Sequence, residues 1–222
     1  MTGATASLAT RESDVATGVR SLGLSLSDTE CATLDAYVAL LAKWNRTYNL
    51  TAIREPARMV THHVLDALAV LPHLPQSAGL RLLDVGAGGG VPGIPLAIAR
   101  PEWKVVLVDS NGKKATFLTQ AAIELALPNV RAVATRVEDL HDEPQFDVVI
   151  ARAFSDLRTF AHSSARHLST AGALYAMKGA YPAEEIAALP PSIEVVAAPK
   201  LRVPGLDAER HLIVMRPRAL PA

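Results

Sequence analysis

The stretch Leu82-Leu83-Asp84-Val85-Gly86-Ala87-Gly88-Gly89-Gly90-Val91-Pro92-Gly93 constrains the fold more than any other part of this chain. An apolar run ends in an acid and breaks into a glycine-rich loop, and a helical pattern begins at Ile94-Pro95-Leu96-Ala97-Ile98-Ala99. A second apolar run, Val105-Val106-Leu107-Val108, ends in Asp109. Strand, glycine loop, helix, strand and acid make a nucleotide-binding βαβ unit. Gly88, Gly90 and Gly93 satisfy G-x-G-x-x-G, the pattern of a nicotinamide dinucleotide site. In that fingerprint the first glycine directly follows the strand, because a pyrophosphate needs bare amides at the helix N-terminus. Here Asp84, Val85 and Gly86 come first, giving Asp-x-Gly-x-Gly-x-Gly. A carboxylate at the mouth of the loop repels a pyrophosphate and attracts an ammonium. S-adenosylmethionine carries an ammonium and a sulfonium and no phosphate, so the loop favours it. Asp109 serves either cofactor, since a carboxylate can accept from the ribose diol of both.

The chain has 222 residues, half of them apolar, enough for one large domain or a medium domain with a small addition. No apolar run reaches the roughly 18–20 residues that cross a bilayer. Residues 1–12 read as a disordered extension rather than a signal peptide, for want of an apolar block. The single Cys31 permits no internal disulfide and no thiolate cage, in keeping with a reducing cytosol, and reads as a small buried residue of a helix. Formal net charge is zero, so nucleic acid is not announced globally. Locally, Lys43, Arg46, Arg54 and Arg58 face Glu55 alone. The tail from Pro199 sets Lys200, Arg202, Arg210, Arg216 and Arg218 against Asp207 and Glu209. Either cluster can track a phosphate backbone or form a solvated face.

Ser27-Asp28-Thr29-Glu30 spells a capping box, and Leu34, Val38, Leu41 and Trp44 recur on one helical face up to a break near Tyr48-Asn49. A second helix covers Met59 to Leu71, so residues 13–78 read as a helical N-terminal cap. From 79 to 218 strands and helices alternate. The expected strands are Leu80–Val85, Lys104–Asp109, Val130–Ala134, Phe146–Ala151, Ala173–Met177, Ile193–Ala197 and His211–Met215. The expected helices are Ile94–Arg100, Gly112–Ala126 with Ser110 as N-cap, Asp156–Leu168, and a short one near Ala183–Leu189. Such alternation implies a doubly wound α/β parallel sheet with right-handed crossovers. No helix separates the last two strands, which makes them an antiparallel hairpin at one edge. That is the Rossmann-like architecture of a class I S-adenosylmethionine-dependent methyltransferase. Asp84, Asp109, Glu138 and Arg152 then converge at the carboxyl ends of the strands, where such sheets bind ligands.

Several blocks resemble one family, the bacterial 16S ribosomal RNA guanine-N7 methyltransferase G. They are Lys43-Trp44-Asn45 with Asn49-Leu50-Thr51, His63-x-x-Asp66, the glycine loop through Pro95, Asp109-Ser110 with Lys113-Lys114 and Phe117-Leu118, Asn129-Val130, Arg136-Val137-Glu138, Arg152-Ala153, Lys178-Gly179, and Arg210-His211. The likeness runs from about Lys43 to Met215. It implies S-adenosylmethionine as cofactor, 16S rRNA of the small subunit as partner, a cytoplasmic location and action as a monomer. It implies that Asp84, Gly86, Ala87, Gly88, Val91, Asp109 and Ser110 hold the cofactor, with Val137 and Glu138 beside its adenine. Arg152 is implied to reach both cofactor and reacting base. Lys43, Lys178, Lys200 and Arg210 are taken as RNA contacts. The family usually has Ser or Thr where this chain has Ala87, so one loop hydroxyl is missing.

The chemistry agrees with the resemblance. Guanine N7 holds a lone pair in the ring plane and attacks a methyl sulfonium without losing a proton, so no general base is expected. Ala151-Arg152-Ala153-Phe154 stands where amino-group methylation would show an Asn/Asp-Pro-Pro-Tyr motif. Pyrimidine C5 chemistry needs a cysteine nucleophile, and Cys31 lies in the cap. Ribose methylation calls for a Lys-Asp-Lys-Glu set, of which only Lys178 and Asp147 suggest themselves. His62-His63-x-x-Asp66 has the look of metal ligands on one turn, but without a further His/Cys cluster a hydrogen-bonding role is preferred and no metal is expected. Trp44 and Tyr48 suit base stacking or packing equally. Lys113 and Lys114 open a helix against its macrodipole, which suggests a place at the crevice. For Arg152 the structural alternative is an ion pair to Asp156 or Glu138. Three other functions remain open at this level: methylation of another RNA or a small molecule, nicotinamide-dependent oxidoreduction, and RNA binding without catalysis.

Overall fold

The computed structural model describes residues 14–141 and 143–218. The expected disorder over residues 1–12 lies outside them. The chain opens with α1 (Asp14–Ser21), a helix absent from the sequence reading. Its eight residues bury little besides Val15 and Val19, too few points for a periodic signal. It is held by close packing: a Cβ on Gly18 would stand 2.4 Å from Leu65 Cδ1. Helix α2 (Asp28–Tyr48) starts at the predicted capping box, with Ser27 Oγ accepting from the Glu30 amide at 3.2 Å and Glu30 Oε2 accepting from the Ser27 amide at 2.6 Å. It stops at Asn49, whose φ of 50° ends the helix in a left-handed turn.

The second cap helix departs from its sequence-based outline. It begins earlier, as α3 (Pro56–Met59), widens into a π-helical segment (Val60–Leu65) and closes as α4 (Asp66–Leu68). A separate 3₁₀ turn covers Leu71–His73. Pro56 fits the first turn, where its missing amide costs nothing. The π segment changes which carbonyls the helix satisfies internally, and the His62 carbonyl accepts from Arg152 Nη1 at 2.8 Å.

Seven strands form one sheet in the order β3-β2-β1-β4-β5-β7-β6. They are β1 (Arg81–Val85), β2 (Lys104–Asp109), β3 (Val130–Ala134), β4 (Phe146–Arg152), β5 (Leu168–Lys178), β6 (Ile193–Ala197) and β7 (His211–Pro217). Strands β1 to β5 pair in parallel, and β7 runs antiparallel to both β5 and β6. The crossover helices are α5 (Gly93–Ala99), α6 (Gly112–Glu124) and α7 (Leu157–Ser164), with the short α8 (Ala183–Ala187) before β6. Alternate side chains enter cores on opposite faces. Leu82, Leu107, Val148 and Ile150 pack with the cap, α5 and α6, while Leu83, Val106, Val108 and Val149 pack with α7. Central parallel strands are buried on both faces, hence their unbroken apolar runs.

Two further expectations are corrected. Asn111, not Ser110, caps α6, its side chain accepting from the Lys113 and Lys114 amides at 3.0 and 3.4 Å. The helix after Asp156 ends at Ser164 and a 3₁₀ turn follows, so β5 begins at Leu168 rather than Ala173. Asp156 does cap α7, accepting from the Thr159 amide at 2.8 Å.

The cap seats directly on the glycine loop. The fully buried Tyr37 of α2 donates its hydroxyl to the Gly89 carbonyl at 2.6 Å. Trp44 packs between Tyr48 and Phe117 of α6, with centroids 5.1 and 5.6 Å away, while Tyr48 itself stays exposed.

Candidate functional site

The carboxyl ends of β1, β2 and β4 and the turn after β3 surround a crevice of about 250 Å³. Gly86, Asp109, Ser110, Val137, Glu138 and Phe154 are among the residues that line it. Gly86 has φ 70°, and a Cβ there would meet nothing within 4 Å, so the bare backbone faces open space. Asp109 is buried and doubly held, accepting from the Gly88 amide at 2.9 Å and from the Asn111 amide at 2.8 Å. Each carboxylate oxygen keeps a second lone pair for a ligand hydroxyl. Buried Val137 and half-buried Phe154 supply apolar surface for a flat ring, and exposed Glu138 supplies an acceptor at the rim.

Asp84 stands beneath the loop rather than at its mouth. It is fully buried, and its Oδ2 accepts from the Gly93 amide at 2.8 Å. Its Oδ1 has no hydrogen-bond partner among the described residues. Burial pushes this carboxyl up to about 7, against the opposing effects of the Gly93 hydrogen bond and the Arg152 charge. A buried carboxylate with an orphaned oxygen under a bare-backbone cradle suits a cationic ligand group and opposes a pyrophosphate. Ala87 and Val91 are likewise buried in the loop and line no part of the crevice.

A second cavity, of about 330 Å³, is lined by Asp66, Arg152, Ala153, Met177, Lys178, Gly179 and Arg210. Ala153 separates the two cavities. Its φ of 58° is a left-handed conformation uncommon for a residue with a Cβ, and it sends Arg152 one way and Phe154 the other. Arg152 pairs neither with Asp156 nor with Glu138. Its Nη1 lies 3.3 Å from Asp66 Oδ2, and Arg210 Nε takes Asp66 Oδ1 at 2.9 Å. One buried carboxylate from the cap thus organises two guanidiniums from β4 and the segment leading into β7. Lys178 is held by both oxygens of Glu185 at 2.8 and 3.0 Å.

His63 belongs to this network. Its Nε2 lies 2.8 Å from Thr51 Oγ1 and its Nδ1 lies 2.9 Å from the His62 carbonyl. Burial and the neighbouring Arg152 charge lower its pKa to about 4, so the ring is neutral at pH 7. The His-x-x-Asp motif therefore anchors two arginines and the Thr51 side chain.

Of the sequence-selected residues, Gly86, Asp109, Ser110, Val137 and Glu138 meet in the first cavity. Arg152, Lys178 and Arg210 meet in the second. Lys43 is exposed on α2, and Lys200 is exposed in an ion pair with Glu209 at 2.7 Å. Asp147 accepts from the Arg81 amide at 3.0 Å near the start of β4, the opposite end from Lys178, which removes the ribose-methylation set. The sequence reading overlooked Phe154, although an aromatic two residues past a strand ending in the crevice is a usable signal.

A sheet of this order with an antiparallel seventh strand, a cradle after β1 and an acid closing β2 defines a class I S-adenosylmethionine-dependent methyltransferase. A structure titled as a SAM-dependent methyltransferase from Aquifex aeolicus superposes with a TM-score of 0.55 at 16% identity, covering 79% of this chain and 97% of that one. A coclaurine N-methyltransferase bound to N-methylheliamine and SAH superposes with a TM-score of 0.57 at 12% identity, covering 84% and 70%. Residues 30–213 match the family described as rRNA small subunit methyltransferase G, and the chain belongs to that family. Proteins named ribosomal RNA small subunit methyltransferase G are similar throughout. That of Chromobacterium violaceum is 52% identical over 89% of this chain and 94% of its own length. That of Laribacter hongkongensis is 54% identical over 88% and 93%.

Proposed function

We propose that this chain methylates N7 of a guanine in 16S ribosomal RNA, with S-adenosylmethionine in the first cavity and the guanine in the second. The observation that carries the reading is a pair of cavities lined by successive residues at the end of β4, one with Phe154 and acceptors for an adenosine, the other with Arg152, Ala153 and guanidinium donors. Bound S-adenosylmethionine supplies an electrophilic methyl group. Asp109 accepts from the ribose diol, Ser110 adds a hydroxyl beside it, and Val137, Glu138 and Phe154 hold the adenine. Gly86 and Gly88 let the backbone come close, Ala87 and Val91 support the loop from below, and Asp84 provides the negative charge that draws the methionyl ammonium.

In the second cavity Arg152 donates to guanine O6 and leaves N7 free to attack. A bidentate grip on O6 and N7, the usual arginine–guanine contact, would block the nucleophile. The product guanine carries a positive charge, and Asp66, paired with both arginines, lessens their repulsion of it. None of the titratable side chains lining this cavity is placed as a base, since Asp66 and Lys178 are both in ion pairs. His63, behind Arg152, has both ring nitrogens engaged. Attack by an unprotonated ring nitrogen needs no base. Orientation of the two reactants can supply about 7–11 kcal/mol, more than the roughly 10²–10⁴-fold gain from acid–base help. A ribosomal RNA substrate fits an action in the cytoplasm.

The test uses the lability of N7-methylguanosine. Borohydride followed by aniline should cut 16S RNA at one guanine in cells carrying this protein and leave it whole in cells without it. A modification that resists this treatment, such as a 2′-O-methyl group, would overturn the reading.

A further inference from the structure

Three of the four basic residues expected to touch RNA already have carboxylate partners: Lys178 with Glu185, Lys200 with Glu209 and Arg210 with Asp66. Two arginines on the cap do not. Neither the Arg46 nor the Arg54 side chain has a hydrogen-bond or ion-pair partner among the described residues. Both are exposed, and both line one cavity of about 190 Å³ with Ala42, Asn45 and Pro56. The one nearby acid, Glu55, lies 3.8 Å from Arg58 instead. Two guanidiniums without a counter-ion converging on one concavity form an incomplete charge arrangement. The cavity, of about 190 Å³, has room for a single tetrahedral anion. Arginine forks match phosphate oxygens bidentately. Two full charges also outweigh the half-charge at the nearby C-terminus of α2.

From this, and on the function proposed above, we propose that the Arg46–Arg54 cavity binds a phosphodiester of the substrate RNA and so sets the register of the target guanine.

The register argument rests on Asn45, the buried floor of the cavity. Its Oδ1 accepts from the Thr51 amide at 2.9 Å and its Nδ2 donates to the Ile53 carbonyl at 3.0 Å, fixing the loop that carries Arg54. Thr51 Oγ1 in turn lies 2.8 Å from His63 Nε2, and His63 Nδ1 lies 3.2 Å from Arg152. An unbroken chain of contacts therefore links the cap cavity to the guanidinium in the second cavity. Helix α2 is fixed to the glycine loop as well, through Tyr37 and the Gly89 carbonyl. An RNA strand gripped at the cap would present its target base at a defined distance from the methyl donor. Lys43 and Arg58, near these arginines in sequence, are exposed as well.

The test is Arg46→Glu with Arg54→Glu in the full chain, measured by filter binding to small ribosomal subunits lacking the modification. Each phosphate neutralised contributes about 0.7–0.9 to the slope of log affinity against log salt, so the one phosphodiester held by both arginines contributes about 0.7–0.9. The variant should show a salt dependence shallower by that amount. At 0.1 M salt it should bind about 5–8-fold more weakly than the wild type, with the difference vanishing toward 1 M. S-adenosylmethionine affinity, read by calorimetry, should be unchanged, which also certifies the fold. A double variant with wild-type affinity and slope would overturn the proposal. So would a loss of affinity that is the same at all salt concentrations, since that reports a distorted cap rather than a lost phosphate contact. Failure of the wild type to produce aniline-sensitive RNA would refute the functional reading itself, whereas the slope measurement tests the cap site alone.

Discussion

Asp84 offers a direct test of how the cofactor is held. Burial raises its carboxyl from 3.8 to about 7, and its Oδ1 has no partner among the described residues. The folded protein therefore keeps this proton to a higher pH than the unfolded chain does. The native state loses stability as pH rises from about 4 to about 7, and the loss is complete above that. A shift of about three units corresponds to roughly 4 kcal/mol as an upper bound. A cationic group near Asp84 reverses the preference, because it favours the ionised form. If only ionised Asp84 draws the ammonium, affinity follows the ionised fraction, which rises from about 3% at pH 5.5 to about 50% at pH 7.0. S-adenosylmethionine should then bind about fifteenfold more tightly at pH 7.0 than at pH 5.5, with proton release on binding. The ligand's own amino group titrates near 7.7–8.0 and stays largely protonated across this window. Calorimetry in two buffers of different ionisation enthalpy reads both quantities. Asp84→Asn keeps an acceptor for the Gly93 amide but cannot ionise, so its weaker affinity should be flat over the same range. Its apo form should be more stable than wild type at pH 8, by a few kcal/mol at most. A flat wild-type profile, or a variant with the same slope as wild type, would refute the reasoning.

Arg152→Ala should lower methylation by about 10²–10³-fold, the range for removing one positioned donor, as measured by aniline scission of 16S RNA. Affinity for S-adenosylmethionine should change by less than about fivefold, the energy of one weak hydrogen bond. Unchanged turnover would remove Arg152 from the site. Arg152→Lys should not restore activity, because one ammonium cannot span both the His62 carbonyl and Asp66. Gly93→Ala would put a Cβ 2.2 Å from Leu107 Cδ2 and 2.8 Å from Asp84 Oδ2 in the core. We expect a loss of about 2–3 kcal/mol, which lowers Tm by about 4–12 °C in a scanning experiment. A Tm within a degree of wild type would show that the helix can shift without cost.

The sheet was legible because its central strands are buried on both faces and appear as short, unbroken apolar runs. Three of the strands, Lys104–Asp109, Val130–Ala134 and Ile193–Ala197, begin and end where the sequence pattern places them. Boundaries failed where two residues of like propensity compete. Ser110 and Asn111 are both good caps, and only the backbone path shows that Asn111 turns its oxygen onto the helix amides. The π segment left no trace in the sequence either, since widening one turn displaces the apolar positions by a single residue. Asp84 shows a signal that was available and unused. Strand alternation places it on the face of Leu82, beneath α5, so an acid there meets the Gly93 amide before it meets any ligand.

Charge was the least legible property, and the reason is sequence separation. Asp66 binds Arg152 and Arg210, which lie 86 and 144 positions away in the chain, so neither ion pair leaves a local pattern. Counting local charge therefore marked Arg210 and Lys200 as open cations although each has a carboxylate partner, Glu209 for Lys200 and, for Arg210, the Asp66 it shares with Arg152. The run from Lys43 to Arg58 is different. There the shortage of acids is itself local: Glu55 takes Arg58, and Arg46 and Arg54 remain without counter-ions in the fold as in the sequence. A basic cluster predicts an anion site when its neighbouring chain lacks the acids to satisfy it and the fold brings none from elsewhere. By that criterion the cap is the stronger candidate for an RNA-backbone contact, and the salt dependence of the Arg46–Arg54 variant tests it.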